Sequence, residues 1–294
     1  MDTSRQLYER EATGWKRGLY DDVQHTFRAP IVNWIFRTLT ANEPEFTRYL
    51  WGQVKPMFET AAFGRYTISY RDSVLSAVED RHDLPVYRRE TVGLSPAEYR
   101  EAGAQLATFD VVIPRLAVLF ETVDRLLQGG DVGTSPATDR AAAAPMPDWL
   151  DRDRGVSPSM TSFEGSELPI PETLDAVESF HGFDDGLPSI YRCLLQWPDL
   201  FESMWADIEP VLHDDAYDRA RAVADDTVTA YVDSTPYSPR LAPDDLRGVG
   251  VDPETISELQ ALFAEFNRGS IETLLPAVPL LSAMLGVEGP REAF

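Results

Sequence analysis

The sequence predicts an all-α protein built from two copies of one helical unit. Apolar residues recur at three- and four-residue spacing, and no run shows the period-two alternation and hairpin signals of a strand. The stretch "LPSIYRCLLQWPDLFESMW" (Leu187 to Trp205) also repeats the plan of "IVNWIFRTLTANEPEFTRYLW" (Ile31 to Trp51). Each reads as a helix, a proline-marked corner and a second helix.

The echo is in register. Pro44, Trp51 and Pro56 recur as Pro198, Trp205 and Pro210, each 154 residues on, and Arg37 pairs with Arg192 after a one-residue gap. Further along, "SPAEYREAGAQLATFD" (Ser95 to Asp110) matches "DPETISELQALFAEFN" (Asp252 to Asn267), so Pro96 and Phe109 meet Pro253 and Phe266. Upstream, "LYDDV" at Leu19 resembles "TLDAV" at Thr173. Three matches in one order predict a tandem duplication of about 130 residues per copy, folded as an intramolecular pseudo-dimer. The expected units are residues 1–128 and 172–294.

In copy one, Phe46, Leu50, Val54, Met57 and Phe58 mark one apolar helical face; Phe201, Trp205, Ile208 and Leu212 mark its counterpart. Ser95, Pro96 and Glu98 form a capping box that starts a helix, and Asp252-Pro253 starts the equivalent one. Residues 129–171, rich in Gly, Pro, Ser and Ala, read as a linker with disordered parts. Such a linker lets copy two pack on copy one about a pseudo-twofold axis, with a cleft between the halves.

Composition narrows the function classes. No run approaches eighteen uninterrupted apolar residues, and the start "MDTSRQLYEREATGWKRG" has no apolar signal core, so a cytoplasmic protein with no membrane partner is expected. The single cysteine, Cys193, excludes internal disulfides and CxxC sites and lies in an apolar helical pattern, as a buried inert thiol would. The four histidines are scattered, with no HExxH spacing, so neither a metal nor another cofactor is expected. Acidic residues number 49 against 26 basic, only two of them lysine, for a net charge of −23. That charge excludes nucleic acid as a partner and reads as the solvated acidic surface of a salt-adapted, halophilic host.

The duplicated all-α plan, the long linker, "APIVNWIFR" opening copy one and "PSIYRCLLQWPDL" opening copy two resemble the group I, non-stereospecific 2-haloacid dehalogenases. The resemblance spans nearly the whole chain. It implies a site between the repeats, where a water activated by an aspartate and positioned by an asparagine displaces halide directly from C2 of the acid. It also implies a small carboxylic acid as ligand. In that family the aspartate follows a serine, seven residues before a Trp-Pro corner. Ser189 and Trp197-Pro198 match, and the aspartate position is Ile190. The asparagine lies one residue before a proline in an "FNYGNP"-like segment; here "FDVVIP" matches at Phe109 and Pro114, and the asparagine position is Ile113.

Isoleucine neither accepts a proton nor orients a water, and a positioned base contributes roughly 10²–10⁴-fold to such a step. Substitute bases are sought in Asp110, three residues before Ile113, and in His181, Asp184 and Asp185, just before Ser189. The bland alternatives are an exposed charge at Asp110 and an ordinary acidic turn in "HGFDDG". The expected ligand-lining set is Ile31, Trp34, Arg37, Phe109, Ile113, Ser189 and Ile190, with Arg37 and Arg192 able either to grip an anion or to pair within their own repeat. Two functions stay open: a dehalogenase-type hydrolase with an altered base, or a non-catalytic protein binding a small ligand or a partner, as a monomer or a homo-oligomer. A peroxide-handling redox protein of similar helical build is disfavoured, because its chemistry normally needs the missing CxxC pair.

Overall fold

The computed structural model describes residues 1–161, 169–183 and 187–294, and all regular structure among them is helical. Thirteen α-helices follow in order. The first five are α1 (Gly14–Phe27), α2 (Trp34–Asn42), α3 (Pro44–Val54), α4 (Ala61–Glu79) and α5 (Pro96–Leu127). After the connecting segment come α6 (Pro171–His181), α7 (Ser189–Leu194), α8 (Pro198–Leu212), α9 (Asp215–Ser234) and α10 (Pro243–Gly248). The chain ends with α11 (Pro253–Arg268), α12 (Ser270–Leu274) and α13 (Ala277–Ala283). No described helix is long and apolar enough to cross a membrane.

The helix starts follow local chemistry. Pro44 and Pro198 each open a helix at its first turn, where a missing N–H costs nothing. Ser95 Oγ accepts from Glu98 N and Glu98 Oε2 accepts from Ser95 N, closing the expected capping box on α5. Asp252 Oδ1 accepts from the backbone of both Glu254 and Thr255 at the head of α11. α5 and α11, whose starts echo each other in sequence, pack together, and α4 runs along α9. The echo stops after Asn267. α5 continues as a single helix of 32 residues, whereas the chain after α11 breaks at Gly269, whose backbone is extended, and again before Pro276.

The connecting segment departs from the expected disordered linker over its described part. Backbone N–H groups of Gly133, Ser135 and Ala137 donate to Val232, Asp233 and Ser234 at the end of α9. Met146 N donates to Glu59 O, and Val156 N to Ala104 O. Its small, polar composition reflects close passage over helices, and Gly155 shows why. A Cβ there would lie 1.9 Å from Thr108 Oγ1 on α5. Gly155→Ala should therefore lift the strap and lower the melting temperature by several degrees, whereas Gly18→Ala, in open space on α1, should not.

Candidate functional site

The family-equivalent positions sit on two helices in contact, α5 and α7. Ile190, second residue of α7, is 2% exposed, and Ile113, one residue before Pro114 of α5, is 4% exposed. Both belong, with Phe109, to one continuous apolar core. Ser189 is half-buried at the first position of α7 and makes no side-chain cap. Neither isoleucine lines any of four surface clefts formed by the described residues.

A polar hub holds α7 to α5. Gln105 Oε1 accepts from the Cys193 thiol (3.0 Å), Gln196 Nε2 (2.9 Å) and the backbone N–H of Ser159 in the strap (2.9 Å). Thr161 N donates to Arg192 O beside it. Burial pushes the Cys193 thiol up to about 12, so it stays a protonated donor and not a nucleophile. One amide oxygen thus ties two helices and the strap together.

Asp110 is neither an exposed charge nor a free base. It is 1% exposed, and its carboxylate accepts from Arg71 Nε (2.9 and 3.1 Å), Arg154 Nη2 (2.9 Å) and the backbone N–H of Gly289 (3.0 Å). Arg154 Nη1 also reaches Asp151 Oδ1 (3.1 Å), whose other oxygen accepts from Arg115 Nη2 (3.0 Å). Burial would raise the Asp151 carboxyl, but Arg115, Arg71 and Arg154 outweigh it and hold it below its ordinary value. The same arginines clamp the C-terminal segment: Arg71 Nη1 donates to Pro290 O and Arg154 Nη2 to Val287 O. Three donors converge on Asp110 Oδ2 and Arg71 Nε also reaches Oδ1, so the carboxylate is buried in an ion-pair cluster instead of standing free in a cleft.

His181, a second candidate base, is also buried. Thr273 Oγ1 donates to Ser270 O and therefore accepts from His181 Nδ1–H (2.8 Å). Nε2 is then the acceptor for the Tyr191 hydroxyl (2.6 Å). Rings of Phe180, Phe183, Tyr191 and Trp205 surround the imidazole. Burial lowers its pKa to about 3, so the ring is neutral and fixed in one tautomer. Asp184 and Asp185 lie outside the described residues.

A family model described as "Halocarboxylic acid dehydrogenase DehI" matches residues 30–161. Solved structures of a D-2-haloacid dehalogenase superpose on nearly the whole chain. A mutant in complex with D-2-CPA gives a TM-score of 0.82 at 20% identity, covering 96% of this chain and 95% of that one. A complex with L-LA gives 0.80 at 20% identity, covering 96% and 94%. No curated protein matches the sequence. Over residues 30–161 the chain is similar to the DehI family, and its fold is that of the haloacid dehalogenase structures.

On this DehI-like chain the family match takes in Ile113, Asp110 and Asp151 but ends before Ile190. The seven expected lining residues fall into separate groups. Phe109, Ile113, Ser189 and Ile190 lie on α5 and α7. Trp34 is on α2 and stacks on Phe266 of α11, with centroids 4.9 Å apart. Arg37 places its guanidinium over Tyr8, 5.0 Å from the ring centroid, instead of pairing with an acid. Ile31 packs on the core from a half-buried position, and Arg192 is exposed. Among the described residues no group of three or more His, Cys, Asp or Glu is arranged to hold a metal ion. Sequence reasoning missed Gln105, Arg71, Asp151 and Arg154; the charge-dense "DRDRG" at Asp151 was a signal inside a segment read as linker.

Proposed function

We propose that this DehI-like protein is a duplicated, two-repeat member of the haloacid-dehalogenase fold that does not hydrolyse 2-haloacids and serves instead as a non-catalytic ligand-binding protein. The observation that carries this is the burial of isoleucine at both family-equivalent polar positions. Ile190 and Ile113 belong to the continuous apolar core, and the nearest candidate replacement, Asp110, is buried and ion-paired with Arg71 and Arg154. Direct displacement of halide by water needs a base within hydrogen-bond reach of that water. Contacts of α2 with α3 and α4 with α5, and of α8 with α9 and α11 with α12, support units at 1–128 and 172–294, which meet through α4–α9 and α5–α11.

The test is halide release from both enantiomers of 2-chloro- and 2-bromopropionate in high salt. Release at or near the uncatalysed rate is expected. Sustained turnover of either enantiomer would overturn the proposal. The converse variant, Ile190→Asp with Ile113→Asn, restores the polar pair of the family. Where circular dichroism shows a folded chain and the family geometry between α5 and α7 is preserved, with room for substrate, halide release should rise by roughly 10²-fold or more over wild type.

A further inference from the structure

Residues 287–294 follow α13 without regular structure and lie across α4, α5 and the strap. Gly289 N donates to Asp110 Oδ2, Pro290 O accepts from Arg71 Nη1, and Val287 O accepts from Arg154 Nη2. The backbone itself covers both guanidiniums: a Cβ on Gly289 would lie 2.4 Å from Arg154 Nη1 and 2.6 Å from Arg71 Cζ. Beyond this point Arg291 fastens the segment to α4, donating to Asp72 (3.0 Å) and to Glu79 (2.7 Å), all three partly exposed. The Phe294 ring ends it, edge-on to Trp149 and 5.7 Å from the Arg65 guanidinium.

Beneath this segment the guanidiniums of Arg71, Arg115 and Arg154 face the carboxylates of Asp110 and Asp151. Three positive charges against two leave an excess, which the segment meets with the neutral carbonyls of Val287 and Pro290. Arg71, 1% exposed, spends its Nε on Asp110. Its Nη1 holds Pro290 O, and its Nη2, 4.0 Å from Asp151 Oδ1, has no hydrogen-bond partner. Those two nitrogens are the end of the fork that pairs bidentately with a carboxylate. Closure also carries a cost in the segment: Glu288 Oε2 is buried with no partner among the described residues. A carboxylate oxygen in that state regains water when the segment lifts.

We propose that residues 287–294 are an autoinhibitory clasp whose release opens a site for a small carboxylate on the Arg71 fork, beside Arg154. The ligand's oxygens take the place of the Pro290 and Val287 carbonyls and supply the missing negative charge. Closed and open forms exchange, and observed affinity scales with the open fraction. The clasp does not depend on the absence of haloacid turnover, which halide release tests separately.

The experiment measures amide exchange at Gly289 and propionate binding on the full chain by NMR. Arg291→Gln removes the ion pairs to Asp72 and Glu79 without touching the buried cluster. Exchange at Gly289 should quicken by roughly three- to tenfold, as expected for partly exposed pairs. Propionate affinity should rise by the same factor, because both report the open fraction. Phe294→Ala, at the exposed tip, should move both in the same direction. Saturating propionate should itself speed Gly289 exchange in the wild type, and propionamide, of similar shape but uncharged, should not. Unchanged exchange in both variants would overturn the clasp. So would propionate affinity that fails to track exchange, or propionamide acting as propionate does.

Discussion

Asp110→Ala should destabilise the protein by roughly 3–5 kcal/mol, the cost of stranding buried partners of a charge pair. The carboxylate is the acceptor shared by Arg71, Arg154 and Gly289 N. Without it the buried Arg71 and Arg115 and the half-buried Arg154 face Asp151 alone. The C-terminal segment also loses an anchor, since Gly289 approaches so closely that a Cβ there would lie 2.6 Å from Arg71 Cζ. Denaturant unfolding at low and at molar salt measures this. The loss should be nearly the same in both, because the pair is shielded from mobile ions. Arg17→Gln, which breaks the exposed Arg17–Asp21 pair, should change stability by well under about 1 kcal/mol. A small or salt-erased effect at Asp110 would mean that the cluster is hydrated and not a structural knot.

Acidification from pH 7 to pH 5 should cost about 2 kcal/mol through His181 alone. Its pKa in the folded chain is about 3, against 6.5 for an ordinary imidazole. The unfolded chain therefore takes up a proton below pH 6.5 that the folded chain refuses until about pH 3. Stability is full above 6.5 and falls as pH drops through that window. The pH slopes of wild type and His181→Gln should differ by this amount, since every other titrating group is common to both. Parallel slopes would show that water reaches the ring. A protonated ring could no longer accept from Tyr191, so the first element to loosen should be α7, visible as faster amide exchange in its few residues.

Both effects arise from groups that one sequence reads poorly. The all-α class, the helix starts at Ser95 and Asp252, the proline corners at Pro44 and Pro198 and the inert Cys193 are legible because period, capping and burial are local properties. The sequence echo, down to Phe109 against Phe266, is likewise a local pattern. Asp110 shows the limit. Three residues from Ile113 in an acidic protein, it reads either as a surface charge or as a base. Its partners lie 39, 44 and 179 residues away, on α4, in the strap and at the C-terminus.

Ile190 and Ile113 stand between these cases. The sequence by itself determined that neither position can activate or orient a water, because that is a property of the side chain. Tertiary structure decided their surroundings: an apolar core on α5 and α7, held by Gln105 and the strap. The physical reason is range. Side-chain chemistry and helix periodicity act within a turn or two, whereas burial and ion pairing depend on which distant segments close the same volume.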